Sequence, residues 1–139
     1  MARTTFNGPV VSQNGFITGH QPTAANAINA TATATAAQVA DGYITSTSAA
    51  ATTITLPTGT ALGTALGASQ GTVLDLYIDN TAGANAITVA VNTNAVLSSA
   101  AVDTAGSFGD LTIAAGATGI ARFTLMFSSA TAYTFTRTA

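Results

Sequence analysis

The sequence predicts an all-β fold, an antiparallel β-sandwich of jelly-roll type preceded by an extended N-terminal arm, and three observations lead there. Apolar residues recur at every second position in short stretches, clearest in Leu74, Leu76 and Ile78 and in Ala121, Phe123, Leu125 and Phe127. That period is the mark of a strand with one buried face. Gly, Asn, Asp and Pro punctuate the chain between those stretches, as turns require. About seven to nine such runs fit the length, the number a two-sheet sandwich uses.

Residues 1–36 read as the arm. Gly8-Pro9, Asn14-Gly15, Gly19 and Pro22 break the chain, and the apolar residues Phe6, Val10, Val11, Phe16 and Ile17 stand too far apart to close a core. Such a segment gains order by lying on another surface. Between Asn26 and Gln38 threonine alternates with alanine, and because a β-branched side chain loses rotamer freedom in a helix, an extended chain is expected there.

Residues 37–139 read as the sandwich domain. Tyr43 to Thr45 and Thr52 to Leu56 are expected strands, the second closed by Pro57, which cannot donate to a ladder. Gly59 to Gly67 repeats Gly-Thr-Ala-Leu and reads as a surface loop or one helical turn, since small-residue spacing of this kind packs membrane helices only inside a long apolar segment. Gly71 to Val91 is the organising stretch. Its arms, Val73–Asp79 and Ile87–Val91, alternate in phase, and the link with Asn80, Gly83 and Asn85 supplies residues tolerant of positive φ, so a β-hairpin is expected. Ala95 to Leu97 and Asp110 to Ile113 are further short strands, divided by Gly106-Ser-Phe-Gly109. A second hairpin joins Ile120–Phe127 to Ala132–Arg137 and carries most of the aromatic weight of the core.

Composition removes several functions. Of 139 residues only 6 % are charged, with no lysine or glutamate, and the net charge is −2. A nucleic-acid binder needs a basic stripe, which Arg3, Arg122 and Arg137 cannot make. No run of about 18 strongly apolar residues offers a membrane span. The start of the chain lacks the apolar centre of a signal peptide, so synthesis in the cytoplasm is expected. There is no cysteine, hence no disulfide or thiolate chemistry. With lysine unavailable to protect strand edges, some surface is expected to be covered by sister subunits or a larger assembly.

Catalytic and metal chemistry finds few candidates. His20, the one histidine, has no acidic neighbour in sequence, and a surface polar residue is the simpler reading. Asp75 and Asp79 share a strand face but stand about 13 Å apart, too far to hold one ion together. Asp79, Thr81 and Asn85 echo a calcium loop without its closing glutamate, and a turn accounts for them. The phosphate-binding loop is excluded in its usual form because its lysine does not exist here. Glycan binding would favour exposed aromatics, and the three tyrosines lie in or beside strands. Catalytic residues, cofactor, metal and small-molecule substrate are therefore all expected to be absent.

The runs Ala36 to Ile44, Thr53-Ile-Thr-Leu-Pro57, Gly71 to Asn80, Ala86-Ile-Thr-Val89, Gly119-Ile-Ala-Arg-Phe123 and Ala132-Tyr-Thr-Phe135 together resemble the β-sandwich modules of tailed-bacteriophage structural proteins. Thr5 to Phe16 resembles the N-terminal arm of phage head decoration, or cement, proteins. The resemblance implies a homotrimer on the outer surface of a virion, tying neighbouring major capsid proteins together. It casts Arg3, Phe6, Pro9, Val10, Val11 and Phe16 as the arm's contacts with the capsid. A tail-fibre or receptor- and glycan-binding module of a phage is the alternative, since it uses similar sandwiches.

Overall fold

The computed structural model describes residues 26–97 and 110–139. The strands are β1 Ala32–Thr33, β2 Tyr43–Thr45, β3 Thr52–Thr55, β4 Val73–Asp79, β5 Ile87–Ala90, β6 Ala95–Leu97, β7 Thr112–Ile113, β8 Ile120–Ser129 and β9 Ala132–Arg137, with helices α1 Ala36–Ala40 and α2 Gly59–Leu66. Strands predominate, and they form two sheets, one in the order β1-β3-β5-β7 and the other β2-β4-β8-β9-β6. Both contribute to a single buried cluster. Ile54, Ile87, Val89 and Ile113 enter it from the four-stranded sheet; Ile44, Leu76, Ile78, Phe123, Leu125, Phe127, Tyr133 and Phe135 enter from the five-stranded one.

From β1 to β7 successive strands fall alternately in the two sheets. From β1 to β5 the chain winds around the core, and a strand that returns to its own sheet after a full winding runs the same way as its predecessor; β7, which returns antiparallel to β5, departs from that pattern. Hence β1, β3 and β5 are parallel neighbours, as are β2 and β4. Including β6 with β9, four of the seven strand pairings among the described residues are parallel. The sheets are thus mixed, where the sequence pointed to an antiparallel sandwich.

The expected hairpin across Gly71–Val91 does not form. β4 pairs with β2 and β8, whereas β5 pairs with β3 and β7 in the other sheet. The link between them crosses the end of the core instead of turning back. Asn80 is fully buried, and its carboxamide donates to the carbonyls of Asn85 (3.0 Å), Ala114 (2.9 Å) and Ile113 (3.4 Å), fastening the link to the end of β7. Neither Asn80, Gly83 nor Asn85 has positive φ. Gly83 is required for another reason: a Cβ there would run into the Asn80 carboxamide oxygen. Ser46, Ser48 and Thr52, the other buried polar residues among those described, lie in or next to the β2–β3 link, and the Ser48 carbonyl accepts from Ala84 N–H (3.1 Å).

The second hairpin forms as expected. β8 and β9 are antiparallel, joined through Ala130 and Thr131, with an irregularity between Phe127 and Ser129. Phe123 meets Phe135 edge-on at 6.2 Å, and Phe127 lies 5.3 Å from Tyr133. The Tyr133 hydroxyl donates to the Pro57 carbonyl at 2.8 Å, tying β9 to the segment that follows β3.

Two segments differ from the sequence reading in kind. Gly59 to Leu66 is a full helix, capped by Thr58, whose hydroxyl accepts from Ala61 N–H. A Cβ at Gly59 would strike the Thr131 carbonyl and one at Gly63 the Ala130 carbonyl, so the four-residue glycine spacing lets this helix lie directly on the β8–β9 turn. Small residues here serve close approach of a helix to a strand turn, the use the spacing has between helices in membranes. Ahead of it, the Thr/Ala run is extended only as far as Thr35. Thr35 and Gln38 then form a reciprocal capping box that starts α1. Within the stretch assigned to the arm, Ile28 and Ala34 are buried in the shared core, and Ala34 N–H donates to the Thr55 carbonyl.

Candidate interaction surface

The five-stranded sheet presents one face to the core and one to solvent. Because each strand alternates, register decides which outward residues stand side by side. Val73 on β4 is opposite Met126 on β8, Met126 is opposite Thr134 on β9, and Thr134 is opposite Val96 on β6. Val73, Met126 and Val96 are each more than half exposed. They form an apolar row across four neighbouring strands, about 14 Å from end to end at the usual strand spacing. A second row runs through Tyr43 on β2, Tyr77 on β4 and Arg122 on β8, with both tyrosines exposed. Ile120, also exposed, stands opposite Asp79.

The charged side chains on this face, Asp75, Asp79 and Arg122, are each hydrogen-bonded to a hydroxyl of the same molecule. Thr124 donates to Asp75 at 2.6 Å. Asp79 accepts from Thr81 through both hydroxyl (2.6 Å) and backbone N–H (2.9 Å), and from the Tyr43 hydroxyl (2.7 Å). Those bonds, Thr81's first, hold the Asp79 carboxyl below its ordinary pKa, and the same contact with Asp79 raises that of Tyr43. Arg122 donates to the Thr138 hydroxyl at 3.0 Å. Arg137 is not on this face; it pairs with Asp110 at 3.5 Å and donates to the Thr112 carbonyl. What remains exposed on the outer face is mostly methyl, thioether and ring surface. Sheet faces of that composition suit contact with other protein.

No known family, characterised protein or solved structure matches this chain.

Arg3, Phe6, Pro9, Val10, Val11 and Phe16, the arm contacts implied by resemblance, lie outside the described residues, as do His20 and the Gly106 to Gly109 break. Of the calcium-like set, Asp79 and Thr81 are bonded to each other, and the Asn85 side chain turns away to the Ala49 carbonyl. Among the described residues no three His, Asp or Glu side chains gather as metal ligands would. Sequence reasoning overlooked the outer face itself. Its signal was present: Ile120 and Met126 occupy the outward phase of β8, and Val73 and Tyr77 that of β4. A strand whose two phases both carry large apolar residues has two faces to cover.

Proposed function

We propose that this chain is a structural protein of a phage particle, seated as a trimer on the outer surface of the capsid and bridging neighbouring major capsid proteins. The observation that carries the reading is the outer face: an apolar row on a sheet, with its nearby carboxylates already hydrogen-bonded, offers contact area and little chemistry. The arm adds spaced apolar anchors in a segment with no acidic residue. Each large side chain fully buried against a shell would contribute about 1.5–3 kcal/mol. The test compares full-length protein with a form starting at Asn26 for binding to undecorated shells. Loss of binding by the shortened form, with its body still folded, is expected; full occupancy by the shortened form would refute the anchoring role.

A second reading, a receptor- or glycan-binding module, draws on Tyr43 and Tyr77, which stand side by side and exposed as sugar-stacking rings do. On that reading Tyr77→Ala abolishes adhesion to host cells, whereas on the capsid reading the intact protein does not bind cells at all.

A further inference from the structure

We propose that in the free protein residues 1–25 dock within the same molecule on the outer face of the five-stranded sheet. This goes beyond the capsid reading and does not depend on it. Where that reading holds, face and shell compete for the same anchors, and the face stores the arm until a shell takes it.

Four observations converge on that occupant. The first is where the segment joins the body. Ala27 bridges Thr45 in parallel, with Thr45 N–H donating to the Asn26 carbonyl (3.0 Å) and Ile28 N–H to the Thr45 carbonyl (2.9 Å), while the Asn26 side chain donates to Asp41 (2.9 Å). The junction is thus at β2, an edge strand of this sheet, and the direction of the bridge leads back toward the exposed ring of Tyr43. The second is reach. Twenty-five residues precede Asn26. Extended, they could span about 80 Å, while five strands are about 20 Å across.

The third is charge. Residues 1–25 contain Arg3 and no aspartate or glutamate, whereas the chain from Asn26 onward contains Arg122 and Arg137 against Asp41, Asp75, Asp79, Asp103 and Asp110. Asp75 and Asp79 lie in the outward phase of β4, so a weakly cationic segment meets a net acidic face. A second copy of the body would bring the same excess of aspartate and repel. The fourth is the match of apolar groups: Phe6, Val10, Val11 and Phe16 against Val73, Met126, Val96 and the two tyrosines. Tethering favours the intramolecular arrangement, because covalent attachment at Asn26 holds the segment at a local concentration on the order of millimolar.

The absence of cysteine makes the test clean. A nitroxide attached to M126C reports on the outer face, and one attached to T88C reports on the opposite side of the molecule, where Thr88 points away from the core between buried Ile87 and Val89. Isotope-labelled protein carrying the nitroxide, diluted into unlabelled protein, is expected to lose most amide signal intensity around Phe6, Val10, Val11 and Phe16 with M126C and to keep it with T88C. Equal effects from the two labels would overturn the docking. Signal loss seen only when nitroxide and isotope sit on different molecules would overturn it in favour of a neighbouring copy's arm. Body resonances in the same spectra confirm that each variant is folded.

Discussion

The windings from β1 to β5 and the β8–β9 hairpin are made of the same kind of sequence, short apolar alternations, yet they are held together differently. The hairpin's partners are adjacent in the chain, linked through Ala130 and Thr131, and its contacts are aromatic. In the windings each strand pairs with the next but one, and the links are fastened by buried polar groups, Asn80 foremost. Alternation determines which face of a strand is buried. It does not determine which strand lies beside it.

That contrast can be broken most severely in the hairpin. Phe123→Ala removes a fully buried ring from β8 and is expected to cost about 3–5 kcal/mol in denaturant unfolding. Next comes the windings' fastener. Asn80→Ala leaves the carbonyls of Asn85 and Ala114 without their shared donor, and at about 1–3 kcal/mol per stranded group the expected loss is about 3 kcal/mol. Hydrogen exchange should sharpen the comparison, with protection falling in β5 and β7 while β8 and β9 keep theirs. Equal loss everywhere would mean that the two regions open as one unit.

Gly63→Ala probes the contact between the regions. Alanine is the better helix former by about 1 kcal/mol, but a methyl forced against the Ala130 carbonyl costs about 1–3 kcal/mol, so net destabilisation of about 1 kcal/mol is expected. A stabilised variant would show that α2 does not rest on the turn.

A second junction between the regions, Tyr133 to Pro57, is sensitive to base. Burial pushes the Tyr133 phenol far above its ordinary value, and the Asp79 contact raises Tyr43. The folded protein therefore keeps protons that the unfolded chain releases near pH 10, so stability is intact below about pH 10 and declines as pH rises beyond it. Tyr133→Phe should make that decline shallower. The smallest effect belongs to the outer face: in the form starting at Asn26, in which residues 1–25 cannot cover it, Met126→Ser is expected to change stability by less than about 0.5 kcal/mol, since its side chain is already more than half exposed.

Much of the fold was legible from period and punctuation. Tyr43–Thr45, Ile120–Phe127 and Tyr133–Phe135 show their buried phase in sequence, and the β8–β9 turn is too short to allow other partners. The β4–β5 link misled because Asn, Gly and Asn suit both a tight turn and a buried carboxamide crossing the core end. Only the carbonyls of Ile113 and Ala114, distant in sequence, decide between them. The α2 helix was hidden by glycines whose helix cost is offset by contact with Ala130 and Thr131. The capping box of Thr35 and Gln38 was readable and was outweighed by the threonine alternation before it. As for the candidate surface, single outward residues were visible, but the row they form exists only once register is known.

Difference density between shells with and without this protein is the most direct test of the role proposed for it. The account predicts the two-sheet body on the outer surface of the shell at junctions between capsid proteins, with density for Phe6 to Phe16 running continuous with a capsid subunit. Density at the tail tip, or shells identical with and without the chain, would contradict it.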